Sequence, residues 1–124
     1  MHVRTTAYTH TEPGGNRNAI GKRLSSGKIK SAASDWSRFP VGTVFKIIDT
    51  GETFKIDDYG SALVGTNTID LYKTSRSSMR RWGVRNVGIE ILEWGCPETS
   101  LKILQPRSRN KHVRVMVASL NQKS

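Results

Sequence analysis

Carboxylates are scarce in this chain: ten Asp and Glu stand among twenty Lys and Arg. Four of them, Asp35, Asp57, Asp58 and Asp70, fall beside turns or in short apolar strands. Asp70 lies between Ile69 and Leu71 and precedes Tyr72. In an alternating strand it faces away from both aliphatic neighbours. Two roles suit such an aspartate. It can tie down a turn through backbone N–H groups. Or it can stand in a groove, where partial burial or a second carboxylate raises its pKa. A carboxylic acid tuned in that way can protonate a glycosidic oxygen.

Other familiar constellations are missing. The sequence has no phosphate-binding loop, no His-Glu-x-x-His pair and no nucleophile elbow. His2, His10 and His112 lack metal-ligand spacing and read as surface residues, with His10 the one open to a substrate contact. Cys96 precedes Pro97 with no histidine beside it, and reads as a buried, inert thiol. One cysteine forms no disulfide framework and no multi-cysteine zinc site. No metal and no cofactor is expected.

The elements that must position these groups are mostly strands. Val3–Tyr8, Val44–Ile48, Thr53–Ile56 and Ile69–Tyr72 carry β-branched and aromatic residues, with hairpin chemistry at Asp49-Thr50-Gly51-Glu52. Val87, Ile89 and Ile91 alternate along a further strand. Thr74 or Ser75 caps a helix reaching Trp82, with Gly83 as its stop. The stretch Thr11–Lys30 reads as a long basic surface loop. Leu101–Leu104 and Val113–Ala118 read as two strands joined by a basic turn. Many short strands with one short helix predict an all-β fold, a small closed barrel that hides its own strand edges. The expected division is a barrel domain over 1–95 and a basic C-terminal extension over 96–124, folded as a β-hairpin.

The whole chain bounds the partners. It has 124 residues, one domain's worth, with a net charge of +10. No apolar run approaches the ~18 residues of a membrane span. Such a basic surface attracts polyanions: nucleic acid, anionic lipid headgroups or acidic cell-wall polymers. No signal peptide is visible in MHVRTTAYTHTEP. That fits a cytoplasmic protein, or a mature domain of the cell envelope whose signal has been removed.

Four blocks in order sharpen the reading. They are Thr6-Ala7-Tyr8; Ala33-Ser34-Asp35 leading to Pro40-Val41-Gly42-Thr43; Asp58-Tyr59-Gly60 through Gly65 to Ile69-Asp70-Leu71-Tyr72; and Arg81-Trp82-Gly83-Val84-Arg85-Asn86-Val87. Together they resemble the three-aspartate (3D) domain family of double-psi β-barrels. That family includes the MltA-type lytic transglycosylases and the small Sps/YuiC-like cell-wall enzymes. The similarity covers about residues 3–93. Tyr59 stands where threonine is usual and Ser61 where a second glycine is common. Either Asp57 or Asp58 can fill the second family position; Asp58 keeps Gly60 in register.

The resemblance implies a six-stranded double-psi barrel and a peptidoglycan lytic transglycosylase. The catalytic aspartate of the Ile-Asp-Leu-Tyr block falls on Asp70, which acts as general acid and then base. Asp58 is implied as its close, titration-coupled partner, stabilising positive charge on the sugar. Lys55 either neutralises the cluster or is a solvated strand lysine. Asp35 and Asp57 are supporting, Asp35 through loop hydrogen bonds. Thr6, Tyr8, Tyr59 and Gly60 line the groove, with the two tyrosines open to stacking on sugar faces. The implied partners are peptidoglycan glycan strands and anionic wall polymers, met by Lys22–Lys30 and by Arg107, Arg109 and Lys111. A non-catalytic glycan-binding barrel is the alternative. A nucleic-acid-binding barrel is the weaker one, since no aromatic stacking platform interleaves the cations.

Overall fold

Six strands close into a barrel because each buries one alternate row of apolar side chains. The computed structural model describes residues 1–10 and 15–123. The strands are β1 (His2–Tyr8), β2 (Ile29–Ala33), β3 (Val44–Ile47), β4 (Thr53–Asp58), β5 (Ile69–Tyr72) and β6 (Arg85–Glu93). They pair in the closed order β1-β5-β2-β4-β3-β6. Two neighbouring pairs, β1/β5 and β2/β4, run parallel and the rest antiparallel. Inside lie Phe45, Ile47, Phe54, Ile56, Ile69, Leu71 and Ile89, all essentially inaccessible to solvent. The 2.0-residue period leaves Lys46, Lys55, Asp70 and Glu90 on the outer face.

Helix α1 (Arg76–Trp82) starts where the Ser75 hydroxyl accepts the Ser78 amide at 3.1 Å, and ends at Gly83. Gly83 has φ of 64°, a left-handed conformation that glycine adopts at no steric cost. Trp82 is buried and donates its indole N–H to the buried Thr5 hydroxyl at 3.0 Å.

Three expectations need correction. The C-terminal segment is helical rather than a β-hairpin. It forms α2 (Pro97–Leu104) and α3 (Lys111–Gln122). Val113, Val115 and Val117 imitate strand alternation, but burial follows Val113, Met116 and Leu120, spaced three and four apart. Val115 faces solvent. This segment packs on the barrel. Leu104, Val113, Met116 and Leu120 share one hydrophobic cluster with Trp36, Phe39 and Val41 of the barrel side. Ser100 pins the junction. Its hydroxyl accepts the Val41 amide and donates to the Cys96 carbonyl, both at 3.0 Å.

Cys96 is exposed rather than buried. Its sulfur accepts the Thr99 amide at 3.4 Å and caps α2, and hydrogen bonding from the Thr99 side chain, then from its amide, holds the thiol pKa below its usual value. The basic loop is also shorter than expected. Ile29 and Lys30 already belong to β2, and residues 11–14 lie outside the described part. Asn18 organises what remains, its side-chain oxygen accepting the Ile20 and Lys22 amides at 3.0 Å each.

Candidate functional site

One row of residues across four adjacent strands builds the site. In β1/β5, Thr6 pairs with Asp70; in β5/β2, Asp70 pairs with Ala33; in β2/β4, Ala33 pairs with Asp58. The last pairing depends on an irregularity in register. Ala32 opposes Ile56 but Ala33 opposes Asp58, so Asp57 is the extra residue of a bulge. The bulge settles which member of the doublet faces the groove: Asp58 lines it and Asp57 does not.

The row floors an open cleft of about 470 Å³. Thr6, Tyr8, Asp58, Tyr59, Gly60 and Asp70, six of the residues singled out in the sequence, all line it. A short 3-10 turn, Ser61–Leu63, and the segment to Thr68 form its wall. Arg4, one alternation before Thr6, also lines it and bonds the Thr68 hydroxyl at 3.4 Å. Sequence reading passed over Arg4, although the two-residue step along β1 from Tyr8 and Thr6 leads to it.

Asp70 is half-buried, while Ile69 and Leu71 are fully buried, so it faces opposite to both. Burial raises its pKa, and the Thr6 hydroxyl, donating to Oδ1 at 2.8 Å, offsets part of that shift. Asp58 is pushed up to about 6. Burial is the main cause, and the neighbouring Asp57 charge adds to it. The Tyr59 amide, 3.0 Å from Oδ1, the Ala19 amide and the Arg107 charge act against it.

Asp58 and Asp70 do not form a contact pair. Ala33 separates them, so two strand spacings, about 9–10 Å, lie between their backbones. The like charge that perturbs Asp58 most is Asp57, next along β4. The expected close coupling of Asp58 with Asp70 is therefore replaced by coupling along one strand. Both carboxyls, each with a pKa raised by burial, line the same cleft.

Tyr8 stands near all three carboxylates. Its own burial, and after that their charges, push its pKa far up, so the phenol keeps its proton. Its hydroxyl is buried with no hydrogen-bond partner. Its ring meets that of Tyr72 at 5.6 Å, and Tyr72 in turn bonds His10 Nδ1 at 2.5 Å. His10 is thus engaged with a tyrosine at this end of the barrel.

The remaining candidates lie elsewhere. Asp35 is buried and structural. Its Oδ1 accepts the Ser37 amide at 2.9 Å and the Ser37 hydroxyl at 2.7 Å, and its Oδ2 accepts the Gly65 amide at 2.8 Å. It thereby fixes the loop that walls the cleft. Asp57 points to a separate groove that Lys55 also lines. Its Oδ2 accepts from Ser31 at 2.5 Å and from Asn18 at 3.1 Å, and its Oδ1 has no partner. Burial raises the Asp57 pKa, the Ser31 and Asn18 hydrogen bonds oppose it and the Lys55 charge adds to that opposition; Lys55 does not line the Asp70 cleft.

Tyr59 is held edge-on against Trp36 at 5.1 Å, with His112 at 5.9 Å on another side. Arg107 donates to the Tyr59 hydroxyl at 3.3 Å and to the Ala19 carbonyl at 2.8 Å. Arg107, expected as a free contact for wall polymers, instead folds inward and braces the cleft. Among the described residues, no group of three His, Cys, Asp or Glu side chains could hold a metal ion, and no helix is long and apolar enough to cross a membrane.

No family model matches this chain, and neither does any curated protein. The site's chemistry therefore rests on its own geometry.

Proposed function

We propose that this protein is a peptidoglycan lytic transglycosylase of three-aspartate type, built on a double-psi barrel and working in the cell envelope. The observation that carries this reading is the Thr6–Asp70–Ala33–Asp58 row. It sets two carboxyls with raised pKa in the floor of one open cleft. The closed barrel with its two parallel strand pairs supports the same reading.

The chemistry follows from the groups present. Protonated Asp70 donates to the oxygen bridging N-acetylmuramic acid to N-acetylglucosamine, and the C1–O bond breaks. The C6 hydroxyl of the muramoyl ring attacks C1 and gives its proton to the Asp70 carboxylate. A 1,6-anhydro ring closes, Asp70 recovers its proton, and no water is consumed. The nucleophile belongs to the substrate, so orientation replaces a separately activated water. Thr6 holds Asp70 Oδ1 in place. Asp58, ionised above about pH 6, supports the positive charge that develops on the sugar.

Mass spectrometry of products from purified peptidoglycan tests this. The expected products end in 1,6-anhydro-muramic acid, and Asp70→Asn lowers their rate of release at least about 100-fold. Products with a free reducing muramic acid end would mark a hydrolase. Retention of glycan without release, in the wild type, would mark a binding module. Either result overturns the proposal.

A further inference from the structure

Strand β1 extends the cleft beyond the carboxyls. Its outward residues are His2, Arg4, Thr6 and Tyr8 in alternation. Arg4, Thr6 and Tyr8 line the cleft already described, whereas His2 lines a neighbouring one of about 530 Å³. The wall segment is shared in the same way: Thr66 and Thr68 face the first cleft and Asn67 the second. The two clefts therefore neighbour each other along β1, with His2 and Thr6 about 13 Å apart along the strand.

The neighbouring cleft has its own chemistry. Trp94 stands there 56% exposed, one face stacked on Phe39 at 6.3 Å and 11° between planes. Arg38 and Lys123 flank it. Arg38 is aimed by the Asn67 side-chain oxygen at 2.8 Å, with the buried Asp35 3.7 Å behind it. Lys123 donates to the Ser37 carbonyl. No acidic side chain lines this cleft among the described residues. An open indole face takes a ring, and two positioned cations take a carboxylate beside it.

We propose that the Trp94 cleft is a second subsite for an acidic glycan strand, reading a carboxylated sugar while the same strand occupies the Asp70 cleft. The choice of polymer rests on the function proposed above and on charge. A phosphodiester strand occupying both clefts would meet Asp58 and Asp70, and single-strand binders stack successive bases on several aromatics. Here Phe39 lies beneath Trp94, and one indole alone is presented. Carboxylates spaced along a neutral glycan can satisfy the cations at one end without crowding the acids at the other.

Acrylamide quenching in an Asp70→Asn background, where strands stay intact, reads this site directly. Trp36 and Trp82 are 0% and 7% exposed, so quenching reports Trp94. Peptide-free strands of alternating N-acetylglucosamine and N-acetylmuramic acid should shield Trp94. They should bind at least ~10-fold tighter than N-acetylglucosamine oligomers of equal length, which carry no carboxylate. Lys123→Glu and Trp94→Ala should each cost roughly that preference, read by calorimetry for the variant without its indole.

Equal binding of the neutral oligomers, or no shielding, overturns the subsite even where anhydro products form in the wild type. Tighter binding of a single-stranded oligonucleotide at ~150 mM salt overturns it in favour of nucleic acid. Shielding by acidic strands with no anhydro product upholds the subsite and sinks the transglycosylase reading alone.

Discussion

Asp58 carries a cost that depends on pH. A carboxyl with a raised folded-state pKa favours the fold in its protonated form. That contribution is full below the unfolded value near 4 and is lost as pH rises through about 6. Asp58→Asn mimics the protonated form and keeps an oxygen for the Tyr59 amide. Chemical denaturation should find the variant about 1–2 kcal/mol more stable than wild type at pH 7.5, after allowance for solvent screening, and about equal at pH 4. The same variant should lose the limb of the activity profile centred near pH 6. Thr6→Val tests the other carboxyl. Removing the hydroxyl that favours ionised Asp70 should shift the Asp70-dependent limb of the pH–rate profile upward, with the fold intact by circular dichroism. Asp70 and Thr6 were legible in the sequence because strand alternation alone decides where they point. The Asp57-Asp58 doublet was not, because a bulge decides it, and a bulge is set by the pairing partner. The distance between Asp58 and Asp70 was hidden for the same reason: it is fixed by Ala33, remote from both in sequence.

Strands with flanking turns could be read closely at the scale of elements. Ile69–Tyr72 has the expected bounds, and Ser75 and Gly83 delimit α1 as their capping chemistry dictates. The C-terminal helices were obscured because valines at alternate positions satisfy two periodicities at once, and only the core they join distinguishes them. Two variants probe this junction. Met116→Ala removes a fully buried side chain where α3 meets the barrel and should cost about 2–5 kcal/mol in urea unfolding. Gly95→Ala should be worse than its size suggests. A Cβ there would run into the carbonyl oxygens of Pro40 and Val41 and the Thr43 amide. Thermal melting should show a loss well beyond the ±0.5 kcal/mol usual for a surface change.

Across the whole molecule, the helical segment and the barrel act as one body around the cleft. Arg107 is the link, reaching from the turn between α2 and α3 to Tyr59 and Ala19 beside Asp58. Arg107→Gln should raise the Asp58 midpoint above about 6, since a lowering charge is lost. A carboxyl carbon resonance followed by NMR titration reads that shift, and an unmoved midpoint would leave Arg107 a purely mechanical brace. The basic charge of the chain thus divides between cations that face solvent and cations folded against the site, a division that composition could not reveal.

Closure of the barrel also has a temporal side. β1 pairs with β5, where Thr6 meets Asp70, and with β6, where Val3 meets Val87. β1 must wait for the fifth strand before it has any neighbour and for the sixth before both of its edges are paired. Chains dominated by such distant pairings fold in milliseconds to seconds, whereas helices form in about a microsecond. Refolding followed by stopped flow should therefore be slow. Until β5 emerges, the nascent chain exposes β1 with both edges open, and until β6 emerges one edge stays open, the interval in which it is most prone to pair with another copy.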